Sequence, residues 1–354
     1  MFRPPFCPRF TCSEHVDPSP RFYHRHGFYH PQCRPHPVPR FRCKACRRTF
    51  SRQTFRMDYR DKRPDLNEKV FDKLTDSSGL RDIAVKLELS YRCTALKIRK
   101  ISRHLRQLNL NLRRTLAGPV VLQLDEVESF ETNRSLRPVT VPVLLERTTR
   151  FIIWAETETI RPKGKMTKAR KVRLEREEAR YGVRKDRSKR AVRRTLGRGD
   201  DMIAKDARVR LETDEKSTYP GLARRAFGEE RLTHVMTNSK VARMTWNTLF
   251  PINHEDARMR HKMARLRRDT WLVSKKRRYL DHALQVHIAY RNLVRTRFNY
   301  DKESPAQMLG FLPRRLTRWE VLGWAQRWGK RSLHPLSPRG RSVAEYEAGM
   351  AAAA

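Results

Sequence analysis

The stretch GPVVLQLDEVESFE, residues 118–131, decides the reading of the fold. Gly118-Pro119 breaks any preceding helix, and Val120-Val121-Leu122-Gln123-Leu124 is a short apolar run that predicts a buried strand delivering Asp125 at its end. Two more strand-like runs follow, Val139–Leu145 and Phe151–Ala155, parted by the turn-like Arg147–Arg150. Much later, in ARVRLETDEKSTYPGL (207–222), Val209–Thr213 predicts another strand with Asp214 at its end. A single Asp ending a strand is an ordinary turn residue. Two of them brought together are hard oxygen donors on a rigid sheet, able to hold two Mg²⁺ or Mn²⁺ ions about 3.5–4 Å apart that activate a nucleophile and stabilise a leaving oxygen. Repulsion between the two anions makes such a pair cation-seeking.

The charge points to a partner. The chain has 354 residues, with 79 Lys+Arg against 38 Asp+Glu, for a formal charge of +41. A field of this strength and sign seeks a polyanion, and double-stranded DNA is the expected one. No apolar run approaches the ~18 residues of a membrane span. The start, MFRPPFCPRF, lacks the apolar stretch of a signal peptide. The expectation is a cytoplasmic, nucleoid-associated protein without a membrane partner. All six cysteines fall in the first 93 residues, a placement that suits metal ligation in a reducing compartment better than a disulfide scaffold.

Cys7 and Cys12 form one pair, and Cys43 and Cys46 in FRCKACRRTFS form another. Two such knuckles joined by a hairpin through HGFYH (26–30) predict a zinc ribbon over residues 1–55, with one structural Zn²⁺ supplying folding energy to a segment poor in core residues. Cys33, near His30 and His36, could replace Cys7 or Cys12 as a ligand, but is read in preference as a free thiol.

Residues 60–112 predict a helical DNA-binding domain. Leu66, Val70, Phe71 and Leu74 recur at helical spacing; Leu80, Ile83, Ala84 and Leu87 begin a second helix; Ser90 caps a third that offers Leu96, Ile98, Ile101 and Leu105 to a core. The short connection through Glu88-Leu89-Ser90 has helix-turn-helix spacing, with small Ala84 in the first helix and Glu88 where glycine is commonest. Tyr91 and Arg92 would then meet base edges, and Lys97, Arg99 and Lys100 phosphates. A basic bundle that only packs is the plainer reading. Residues 161–198 carry 17 Lys+Arg and four Asp+Glu. They read as a helical insertion on the sheet whose Lys168, Arg170 and Lys171 lie along DNA backbone. A long helix is expected over Arg277–Phe298, then Trp319, Leu322 and Trp324 as core or protomer contacts, and a Pro/Gly/Ser-rich tail beyond Lys330.

The order of these features, with LDEVESFE (124–131), TDEKSTYPGL and NHEDARMRHKMARLRRDTWLVSKK, resembles bacterial insertion-sequence transposases of the DDE kind over roughly residues 5–330, among them the group of the first-numbered insertion sequence and its Asn-His relatives. The resemblance implies a ribonuclease H-like α/β catalytic domain over 118–300, a mixed sheet with flanking helices, preceded by the zinc ribbon and the helix-turn-helix and followed by an extension over 301–354. It implies a transposase that binds terminal inverted repeats, cleaves and joins DNA strands at element ends and target with two Mg²⁺ or Mn²⁺ ions, and assembles as a homo-oligomer on DNA. Asp125 and Asp214 match the first two metal ligands. At the third position the chain has Asn253 where better-known members carry Glu, with Glu255 and Asp256 close by. Glu255 is the favoured third acid, and Asn253 and Asp256 stay open. On a helix at ~100° per residue, Asp256 falls about 60° from Asn253 and Glu255 about 160° away. The alternative is a sequence-specific DNA-binding regulator, or a domesticated relative whose nuclease fold is inactive.

Overall fold

The computed structural model describes residues 2–324 apart from 34, 35, 113, 239, 243 and 269. The expected tail beyond Lys330 lies outside the described residues. At the N-terminus a short helix α1 (Ser13–Val16) precedes an antiparallel sheet of β1 (Tyr23–Tyr29), β2 (Val38–Cys43) and β3 (Thr49–Ser51). Phe6, Phe22, Phe41, Phe50 and Phe55 form its small core.

Three helices follow, α2 (Leu66–Thr75), α3 (Leu80–Lys86) and α4 (Tyr91–Asn111). The Oγ of Ser90 accepts the Cys93 N–H at 3.1 Å, capping α4. In the turn before it Glu88 takes φ +51°, the left-handed conformation that favours glycine. Val70, Phe71, Ile83, Ile98, Ile101 and Leu105 are buried, but Leu96 is exposed. Lys97 corrects the expectation placed on it. It is only 3% exposed, and its Nζ donates to Asp61 (2.8 Å), the Arg63 carbonyl (2.6 Å) and Asn67 Oδ1 (3.0 Å). It faces into the bundle as a strut and is not available to DNA.

The rest is a mixed sheet with helices on both faces. It comprises β4 (Val120–Phe130), β5 (Pro138–Glu146), β6 (Ile152–Ala155), β7 (Glu158–Thr159), β8 (Val209–Asp214) and β9 (Leu232–Thr237). The order is β6-β5-β4-β8-β9 with β7 on β5; β4–β5 and β5–β6 are antiparallel, β4–β8 and β8–β9 parallel. Between the strands run α5 (Lys168–Tyr181), α6 (Ser188–Asp200) and α7 (Tyr219–Phe227), and after them α8 (Phe250–Lys262), α9 (Arg277–Ala289), α10 (Pro305–Met308) and α11 (Arg318–Gly323). Leu122, Leu124 and Leu144 meet Leu196 of α6 and Phe227 of α7 in a core that α2–α4 share. On the opposite face Val127, Val141, Val143 and Leu145 meet Ile252 and Met259 of α8 and Leu280, Leu284 and Ile288 of α9.

Three boundaries differ from the sequence expectation. β4 does not stop at Asp125, because β5 pairs with it from Leu122 to Phe130; only the partnership with β8 ends early, at Gln123. The basic segment 161–198 is not one arm. No residue of α5 is buried, whereas α6 buries Ala191, Val192, Thr195, Leu196 and Gly199. A Cβ on Gly199 would sit 2.7 Å from Leu144 Cδ2, so α6 is a layer of the domain pressed on the sheet. The helix from Arg277 closes in a π-helical turn, Tyr290–Val294, short of Phe298.

Candidate active site and metal centre

The offset of 89 that pairs Val120 with Val209 and Gln123 with Glu212 also separates Asp125 from Asp214. Both carboxylates therefore lie side by side on one face, just beyond the last β4–β8 pairing. Gln123, two residues before Asp125 on that face, anchors the third element: its Nε2 donates to the Thr248 carbonyl (2.6 Å) and Glu212 (2.8 Å), and its Oε1 accepts the Ile252 N–H (2.9 Å). This fixes the start of α8, and one turn after Ile252 comes Asp256.

Asp256 stands beside Asp125. Burial first, then the Asp125 charge, push its carboxyl well above the ordinary 3.8. Its Oδ1 is enclosed and accepts no hydrogen bond from a described donor, while the carboxyl as a whole is hydrogen-bonded to that of Asp125. Asp125 accepts the Glu126 N–H at 2.7 Å, and Asp214 the Lys216 N–H at 3.2 Å. Glu126, pointing to the other side of β4, is fully engaged. It accepts from Lys216 Nζ (2.6 Å), Tyr219 OH (3.1 Å) and Thr140 Oγ1 (2.7 Å), tying the turn after β8 to β4. Burial and then the charges of Glu126, Asp214 and Asp125 push the Tyr219 phenol up, so this hydroxyl stays protonated among the carboxylates. Two carboxyls this close, one of them enclosed, suit a divalent cation, which Asp125 and Asp256 would hold with Asp214 on the neighbouring strand within reach.

Glu255, the favoured third acid of the sequence reading, faces elsewhere. It is fully buried, and its Oε1 accepts from Arg291 Nε at 2.8 Å with His287 Nε2 at 3.9 Å. Burial alone would raise its carboxyl; His287 and Arg291 beside it outweigh that and hold it at about 2. It braces α8 against the helix that begins at Arg277. Asn253 is half-buried, one turn before Asp256 on the same side of α8. Nothing in the local residue types singles out Glu126 or Tyr219, and the signal for Asp256 is its angle on the helix.

A charge that destabilises the metal-free fold gives a prediction. A carboxyl raised by folding contributes fully below pH ~3.8, its unfolded value, and loses that contribution as pH rises through its folded value. Asp256→Asn is therefore expected to raise the melting temperature at pH 7 in EDTA, and to lose that advantage as pH falls toward 3.8. Mn²⁺ should raise the melting temperature of the wild type and not of the variant. Thermal melting checks both, and a lower melting point for the variant in EDTA would contradict the placement of this carboxyl.

The second centre is the cysteine quartet. The Sγ atoms of Cys7, Cys12, Cys43 and Cys46 all lie within 4.8 Å of one another, with Cys7–Cys46 at 3.5 Å and Cys12–Cys43 at 3.8 Å. A disulfide needs about 2.05 Å; the sulfur–sulfur edge of a tetrahedron with Zn–S bonds of about 2.3 Å is ~3.8 Å. Burial pushes the Cys7 and Cys12 thiols up. The quartet can hold a zinc ion. His15, buried at 2.7 Å from the Cys7 carbonyl, fixes the first knuckle. Cys33 is exposed and outside the quartet.

Of the residues expected to contact DNA, Tyr91, Arg92, Arg99, Lys168 and Lys171 are exposed. Arg170 is partly committed, its Nη2 donating to the carbonyls of Ser135 (2.9 Å) and Lys163 (3.2 Å). No described helix is long and apolar enough to cross a membrane.

No protein-family model matches the chain, and no curated protein matches it. Among solved structures it is similar to the catalytic domain of the Mos1 mariner transposase, at 13% identity and a TM-score of 0.22, over 55% of this chain and 87% of that one.

Proposed function

We propose that the protein is a DNA transposase: a ribonuclease H-like phosphoryl-transfer domain carrying a helix-turn-helix (α3–α4) and a zinc ribbon, which cleaves strands at the ends of its element and joins them to target DNA. What supports this reading is the β4–β8 register, whose offset sets Asp125 and Asp214 on neighbouring strands, together with the enclosed carboxyl of Asp256 beside Asp125. The net charge of +41 and the exposed basic starts of α4 and α5 supply the partner. Bound divalent cations would supply charge stabilisation to the attacked phosphodiester and the leaving oxygen. The chain's own part is to hold three carboxylates on a braced frame: Gln123 sets α8, Glu126 ties Lys216 and Tyr219 across from β8, and Glu255–Arg291 locks the back of α8. Labelled duplex ends incubated with and without Mn²⁺ test it. Strand cleavage that needs the cation supports the enzyme; tight DNA binding with no cleavage in Mg²⁺ or Mn²⁺ replaces it with the regulator.

Base reading and backbone tracking separate by mutation. A helix end fits a major groove, whereas a diffuse basic helix follows phosphates. Arg92→Ala is expected to lower the ratio of specific to random DNA binding about tenfold, a loss of ~1–3 kcal/mol. Neutralising Lys168 and Lys171 should weaken both DNAs alike and reduce the salt slope by about 2. Fluorescence titrations across a salt series decide; equal losses on both DNAs for Arg92→Ala would exclude base reading there.

A further inference from the structure

The loop between α8 and α9 holds an aromatic side chain that nothing in the fold accounts for. Trp271 is 95% exposed, although Val273 and Ser274 beside it are buried. The loop is fastened at its base. Arg265 Nη1 donates to Ser274 Oγ at 2.9 Å, and within the loop the Leu272 N–H donates to Thr270 Oγ1 at 3.0 Å. It also bridges two parts of the molecule. Toward the carboxylates, Arg260, one turn after Asp256, donates to the Leu266 carbonyl at 3.0 Å. Toward the helical unit, Leu272 lies so close to Gly79, at the start of α3, that a Cβ there would be 2.8 Å from its Cδ2. Arg265 lies within electrostatic reach of Tyr91, at the start of α4.

Chemistry selects what covers this tryptophan. Arg267, Arg268, Lys275 and Lys276 are exposed on either side of it, and Asp269 is the one acid in the sequence from 262 to 278. A second copy of the chain would bring the same positive frame against this one, and like charges set face to face repel, whereas a polyanion is drawn to it. A flat aromatic ring in a basic frame is the arrangement that stacks nucleobases, because every base has a π-face and its phosphates meet the cations.

We infer that Trp271 is a stacking contact for a nucleobase of DNA that lies across the start of α4 and the α8–α9 loop, taking a base that is unpaired or at an opened step. This rests on the reading that DNA is the partner. It is independent of cleavage, since stacking needs no metal ion.

The test uses the full chain in EDTA at fixed salt, with a duplex carrying one bulged 2-aminopurine and the same duplex fully paired. The wild type is expected to bind the bulged duplex more tightly and to quench its 2-aminopurine. Trp271→Ala should lose about tenfold in affinity for the bulged duplex, with paired-duplex affinity and melting temperature little changed, while Trp271→Phe keeps most of both signals. Equal affinity of the wild type for the two duplexes, or equal losses on both for Trp271→Ala, overturns the stacking role and leaves the DNA reading intact. Trp271→Ala that separates protomers in sedimentation while binding both duplexes normally overturns it in favour of a protein contact. A wild type that binds neither duplex removes the DNA reading and this inference together.

Discussion

Replacing Asp125, Asp214 or Asp256 with alanine is expected to cut DNA strand cleavage by about 10³-fold or more, while DNA affinity stays the same or rises slightly. Charge stabilisation by a held cation is worth several kcal/mol, and every ~1.4 kcal/mol is tenfold in rate. Removing a carboxylate also removes negative charge near the phosphate, so binding does not suffer. The informative comparison is with Glu255 and Asn253. Glu255→Gln leaves Arg291 buried without its countercharge, and breaking a buried pair costs on the order of 3–5 kcal/mol. Its deficit should therefore appear in melting temperature, with cleavage per folded molecule retained in the cold. Cleavage assayed at matched folded fractions separates the two. If Glu255→Gln abolishes chemistry at full foldedness and Asp256→Ala does not, the third position belongs to Glu255; if only Asn253→Ala fails, a neutral amide completes the site.

That comparison also marks how far the sequence can be read. The phase of α8 is legible: at ~100° per residue Glu255 points away from Asp256, and in the structure Glu255 meets Arg291 while Asp256 meets Asp125. For Glu255 no local signal shows that Arg291, 36 residues on, closes on it. The same holds for Lys97, a basic residue on a basic helix, which is spent on Asp61 36 residues earlier. Local pattern does settle the Ser90 cap, the strand start at Val120 and the strand end at Asp214, because each depends on neighbours within a few residues. The extent of β4 depends on β5, and the burial of α6 on Leu144, so neither was visible in its own window. In α6 the small residues Ala191 and Gly199 were the available hint, masked by the charge around them.

Cys43→Ser is expected to abolish zinc binding, from about one ion per chain to none, and to unfold the N-terminal unit. A small segment has limited apolar surface to bury; here the core is a handful of phenylalanines gathered around the quartet itself. Zinc binding to a four-cysteine site contributes on the order of 10–16 kcal/mol in small metal-dependent folds, more than a core of this size supplies. Cys43 is fully buried and joins β2 to the second knuckle, its N–H donating to the Arg48 carbonyl at 2.9 Å, so a serine oxygen at that point both weakens the ligand set and leaves three thiols packed against each other. Cys33→Ser is the matched control, since that thiol is exposed and outside the cluster. Elemental analysis with limited proteolysis reads both variants. Cys43→Ser should lose zinc and become cleavable within residues 1–55, while the core shared by α2–α4 and the sheet resists, because its buried residues are not drawn from the cysteine unit. Full zinc content and unchanged protection in Cys43→Ser would show that the quartet is not the metal centre, and loss of zinc in Cys33→Ser would move the ligand set to the β1–β2 connection.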